Sequence, residues 1–83
     1  MSFKLYTDVV LTRNIPEDNL KIGDIGTVIE CHEVEELETG YTVEFFNLIG
    51  QTIALITVPK SWLRLPTDMD ILTVRSKGIE TFT

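Results

Sequence analysis

The chain has 83 residues and a net charge of −6, with 43% apolar and 24% charged residues. One domain fits that length, and the balance is that of a folded globular protein rather than a disordered one. A single cysteine, Cys31, rules out an internal disulfide and suits a reducing compartment.

No apolar run approaches the roughly 20 residues of a membrane helix, and the first residues lack a signal-peptide core. The expected address is the cytoplasm, with no membrane partner. The charge is unevenly placed. Between Glu30 and Glu44 lie six acids (Glu30, Glu33, Glu35, Glu36, Glu38 and Glu44) and no Lys or Arg. The rest of the chain is formally neutral.

Residues before Asp8 read as a lead-in to the short β-branched strand Val9-Val10-Leu11. Asn14-Ile15-Pro16-Glu17-Asp18-Asn19 breaks it, because Pro16 and the two asparagines exclude a regular helix. Gly23 and Gly26, three apart, read together as a tight turn feeding the next strand. Strict alternation over residues 27–32 would put Thr27, Ile29 and Cys31 on one face and Val28, Glu30 and His32 on the other.

An acidic connection ends at Gly40. The following strand separates Tyr41, Val43 and Phe45 from Thr42, Glu44 and Phe46. Asn47-Leu48-Ile49-Gly50 makes a hairpin turn with Gly50 left-handed. The return strand, residues 51–58, is apolar on both faces. It should be buried on both, or buried on one and covered by a partner on the other.

Pro59 ends that ladder. Residues 60–65 suit a 3₁₀ turn and a short strand. Residues 71–75 alternate like a final strand, paired to the barrel or to a second subunit. A frayed tail follows over residues 76–83, leaving a single domain over residues 1–75.

Five or six short strands without a long helix predict an all-β, SH3-like barrel. Its interior should hold Val28, Val43, Phe45 and Leu55.

Gly23-Asp24-Ile25-Gly26-Thr27-Val28-Ile29-Glu30 resembles the Gly-Asp-x-Gly-Thr-Val turn-and-strand of many SH3-like barrels, including KOW-type domains of translation and transcription proteins. Four more segments follow in order: Asp8-Val9-Val10-Leu11-Thr12, Tyr41-Thr42-Val43-Glu44-Phe45-Phe46, Ile53-Ala54-Leu55-Ile56-Thr57-Val58 and Leu63-Arg64. Together they resemble a family of small bacterial domains of unknown function, over about residues 5–75. The resemblance implies a fold and a bacterial setting, and no activity or functional residue comes with it.

Chemistry-bearing residues are sparse. Cys31 and His32 face opposite sides of a strand, and Glu30 with His32 makes only two ligands, short of a zinc site. The expectation is no metal and no cofactor, with Cys31 a core thiol and His32 a solvated imidazole. No serine sits in a nucleophile turn, and carboxylates beside Cys31 disfavour its thiolate, so no catalytic residue is expected and the chain is read as a non-enzyme.

Nucleic-acid binding needs clustered cations, whereas Lys21, Lys60, Arg64 and Arg75 are scattered along the sequence. The reading that remains is a protein-interaction module or small accessory subunit. It would meet an unidentified basic protein through Glu33, Glu35, Glu36 and Glu38, with Trp62 either a core plug or a groove anchor. An antitoxin-like or immunity-like neutralising protein is the alternative, and a nucleic-acid-binding barrel a more distant one.

Overall fold

Five antiparallel strands build the fold over residues 2–73, the part of the chain that the computed structural model describes. They are β1 (Asp8–Leu11), β2 (Ile25–His32), β3 (Gly40–Phe46), β4 (Thr52–Pro59) and β5 (Leu63–Arg64), in the order β4-β3-β2-β1-β5. The described residues are all-β apart from two 3₁₀ turns, Pro16–Asp18 and Lys60–Trp62, and one short helix, α1 (Asp68–Thr73).

The strands do not close into a hydrogen-bonded ring, since β4 and β5 are the two edges of the sheet. The sheet nonetheless curls. Across a flat sheet β4 and β5 would lie four strand spacings apart, about 19 Å. The turn from Pro59 to Leu63 spans only four residue steps, about 14 Å even if fully extended. Curling brings one residue set together from all five strands: Val9, Leu11, Val28, Tyr41, Val43, Phe45, Val58 and Leu63 share a core with Ile15 and Leu20.

Register explains who is inside. Tyr41, Val43 and Phe45 face the core as their alternation predicts, and their β4 partners are Val58, Ile56 and Ala54. Leu55 is thereby turned outward opposite Glu44, and it is 57% exposed rather than interior. In β2 strict alternation fails. Val28 pairs with Val43 on the core side, yet Glu30 pairs with Thr42 on the outer side, because a bulge at Ile29 separates them.

Cys31, expected in the core, is exposed. It pairs with Tyr41 near the end of the β2–β3 ladder, whereas β1 pairs with β2 only over residues 25–27, so β1 does not reach it.

The two glycines do different jobs. Gly23 has φ +95° in a turn closed by the Asp24 N–H donating to Lys21 O at 3.0 Å, a conformation that glycine accepts at no steric cost. Gly26 is not part of that turn. It lies inside β2 opposite Val9, where a Cβ would meet Val43 Cγ1 at 2.6 Å and Glu44 O at 2.9 Å. At the β3–β4 hairpin Gly50 has the expected left-handed φ of +86°, and Asn47 Oδ1 accepts from the N–H groups of Ile49 and Gln51 at 3.1 and 3.0 Å.

The C-terminal expectation fails. Ile71, Leu72 and Thr73 belong to α1, not to a strand, and residues 74–83, including the expected strand end and tail, lie outside the described residues. Thr67-Asp68-Met69-Asp70 starts the helix as a capping box does. The Asp70 carboxylate reaches back to accept from the Thr67 N–H at 2.6 Å and from its hydroxyl at 3.0 Å.

The same carboxylate takes a two-pronged contact from Arg64 of β5, both bonds 2.6 Å. Those hydrogen bonds from Arg64, then those from Thr67, hold Asp70 well below the usual carboxylate pKa range, while Asp70 raises that of Arg64. Arg64 pairs with Val10 across β1 and β5, so α1 begins over the face of the sheet opposite the main core. Val10 is fully buried there.

Candidate functional site

Two surfaces gather the residues singled out by sequence. The first is the connection from β2 to β3, residues 33–39. Its turn is closed by the Leu37 N–H donating to Val34 O at 3.0 Å, and Glu36 takes a left-handed φ of +66°. Glu33, Glu35 and Glu36 are exposed, and none of them forms an ion pair among the described residues. Two aliphatic side chains stand between them, Val34 at 55% and Leu37 at 69% exposure.

Glu38 behaves differently. Its Oε2 accepts from the Ser61 N–H at 2.6 Å, and the adjacent Thr39 O accepts from the Lys60 N–H at 2.8 Å. The far end of the loop is thus tied to the 3₁₀ turn Lys60–Trp62. All four loop acids are exposed, and Glu38 also fastens the loop down.

The other two acids of the 30–44 run are also engaged within the fold. The Thr52 hydroxyl donates to Glu44 across β3 and β4. Glu30 Oε1 lies 3.2 Å from His32 Nε2 and 3.4 Å from the Thr42 hydroxyl, on the shared face that the sequence predicted for this pair. Thr42 Oγ1 also lies 2.9 Å from His32 Nε2 and 2.8 Å from Thr57 Oγ1. A hydroxyl has one proton. Thr42 therefore donates to one of these neighbours at a time. This network is internally satisfied, and no group of three or more His, Cys, Asp or Glu that could hold a metal occurs among the described residues.

The second surface surrounds Trp62. The ring is half-buried, packed against the core cluster, and the Arg13 guanidinium lies 4.4 Å from its centroid, a favourable cation–π geometry. Trp62 is therefore in part a core residue and in part exposed to a groove. One side of it is core, and the other lines a groove of about 380 Å³ between Ile15, Pro16, Ile56 and Val58. Arg13 was not singled out by sequence. Nothing local signals its partner, because residues 13 and 62 meet through the pairing of β1 with β5 and the Thr12 N–H to Trp62 O bond of 2.8 Å.

Two of the described cations are engaged within the fold: Arg64 pairs with Asp70 and Arg13 lies over Trp62. No helix among the described residues is long and apolar enough to cross a membrane. No curated protein and no solved structure matches the chain. A family model does match it, from the segment before β1 to just past β5, and on residues 5–65 the chain belongs to the domain of unknown function family DUF4926.

Proposed function

We propose that this chain is a non-catalytic protein-interaction module that meets a basic partner through the 33–38 loop. One observation carries the reading: Glu33, Glu35 and Glu36 point into solvent around the exposed Val34 and Leu37, on a loop fastened to the scaffold at Glu38. Carboxylates of one sign steer an approaching cationic surface, and aliphatic side chains supply area to bury once it arrives. A loop held at its far end loses less conformational freedom on docking than a free one, which lowers the ordering cost of association.

The test begins with the chain as bait in an extract of its native host, the recovered protein being identified by mass spectrometry. Association is then timed for the wild type and for the triple variant Glu33→Gln, Glu35→Gln, Glu36→Gln, with Glu38 left intact. At low salt the variant should associate about tenfold more slowly, and the difference should shrink as salt is added. An unchanged low-salt rate leaves the loop no role in recognition.

A further inference from the structure

Edge strands expose unpaired backbone groups, and natural sheets protect them with charge, proline, bulges or a covering element. Strand β4 is an edge of this sheet and is eight residues long. From residue 45 to residue 59 the sequence contains no Asp, Glu, Lys, Arg or His, in a chain that is 24% charged. Its outward side chains include Ile53 at 42% and Leu55 at 57% exposure. Its only proline, Pro59, is the last residue of the strand and leaves the rest of the edge open to pairing.

We propose that β4 pairs antiparallel with β4 of a second copy of this chain, extending the sheet across a two-fold axis near Ala54. The occupant follows from charge and register. In that register Ile53 of each copy lies opposite Leu55 of the other, on the same face, as residues paired across an antiparallel ladder do. The exposed aliphatics thus cover one another.

Each copy carries a net charge of −6, and the two-fold keeps the sources apart. The acidic loop adjoins Pro59, because Gly40 pairs with Pro59. Pro59 is five residues from the axis, so the two loops are separated by about 33 Å along the strands, several Debye lengths at physiological salt. The nearest acid, Glu44, lies one strand inward and is hydrogen-bonded by Thr52. Three strand spacings, about 14 Å, separate it from its counterpart.

The same register sets the hairpin tip of one copy, with Leu48 and Ile49 exposed, beside Val58 of the other and the groove that Val58 and Trp62 line. A basic partner would find no charge to recognise along residues 45–59, whereas a second uncharged strand of identical spacing is matched to it. Isologous two-fold pairing is also the commonest mode of self-association.

Sedimentation velocity of the full chain across micromolar concentrations, with reductant present so that the exposed Cys31 forms no covalent dimer, tests the proposal. The wild type should sediment as a dimer that dissociates on dilution. Leu55→Lys and, separately, Ile53→Lys place like charges across the axis at exposed positions, so each should keep the far-UV circular dichroism of the wild type and raise the dimer Kd at least about tenfold. Hydrogen exchange of β4 amides should slow with rising concentration in the wild type and not in the variants.

The proposal is overturned by a wild type that stays monomeric throughout, or by a dimer that both lysine variants leave intact. Concentration-independent protection, in a monomer, of the β4 amides that do not bond to β3 also overturns it. The Gln variant of the acidic loop should dimerise like the wild type, which separates this result from the fate of the loop reading.

Discussion

Replacing Gly26 with alanine isolates the tightest approach in the sheet. The added methyl would sit 2.6 Å from Val43 Cγ1, 2.9 Å from Phe45 Cδ1 and 2.9 Å from the carbonyl oxygen of Glu44. Carbon–carbon contacts are comfortable at about 3.5–4.0 Å, so relief requires a displacement of roughly 1 Å. Val43 and Phe45 are both buried, and the Glu44 oxygen belongs to the β3 backbone. No flexible tip is available to yield.

Overpacking of this kind costs about 1–3 kcal/mol, and the backbone contact argues for the upper half of that range. Against a whole-domain stability of about 5–15 kcal/mol, a loss of about 2–3 kcal/mol lowers the melting temperature by roughly 8–24 °C for a domain of this size. The assay is thermal unfolding by circular dichroism, with Gly23→Ala as the comparison. At Gly23 a Cβ meets nothing within 4 Å, and only the positive φ penalises it, by about 1–2 kcal/mol. Gly26→Ala should therefore be the less stable variant. If Gly26→Ala melts with the wild type, or above Gly23→Ala, the close approach of β2 to β3 does not constrain position 26.

Two further outcomes are expected. Asp70→Asn removes the charge that joins β5 to α1, so it should lower the melting temperature at neutral pH. Because the folded carboxylate titrates below its unfolded value, this contribution is complete above about pH 4 and lost as pH falls further. The gap between wild type and variant should narrow below that pH, and a gap that stays constant down to pH 2 would refute the linkage. Cys31 should react with a thiol reagent in the native protein, since its side chain is exposed; strong native-state protection would contradict its placement near the end of β2.

Alternation was legible wherever a strand ran straight. Tyr41, Val43 and Phe45 face inward because nothing interrupts β3 between them, and Gly50 and Pro59 mark the turn and strand end that their chemistry demands. The failures share a cause: a local pattern cannot show which of two apolar faces a neighbour will cover. Ile53, Ala54, Leu55 and Ile56 are apolar throughout, and only pairing with β3 decided that Ala54 and Ile56 turn inward. The bulge at Ile29 left no mark in a run of β-formers, so the faces of Glu30 and His32 relative to Val28 came out reversed.

The helix at Asp68–Thr73 was different, because its signal was present. Thr67-x-x-Asp70 before an apolar run is a capping box, but the β-like alternation of residues 71–75 masked it. Within the candidate site, the exposure of Glu33, Glu35 and Glu36 was readable from composition. The bond from Glu38 to Ser61, 23 residues away in sequence, was not, since it depends on how the sheet curls.

That bond also gives the molecule an optical gauge. Trp62 is its only tryptophan, one residue beyond the backbone N–H that Glu38 holds, with a cation resting on its ring. A pull on the acidic loop is passed through Glu38 to Ser61 and alters the surroundings of the neighbouring indole. Emission from the unlabelled protein should therefore follow events at the loop, and Glu38→Gln, which replaces the charge-assisted contact with a weaker neutral one, should make this emission less sensitive to them.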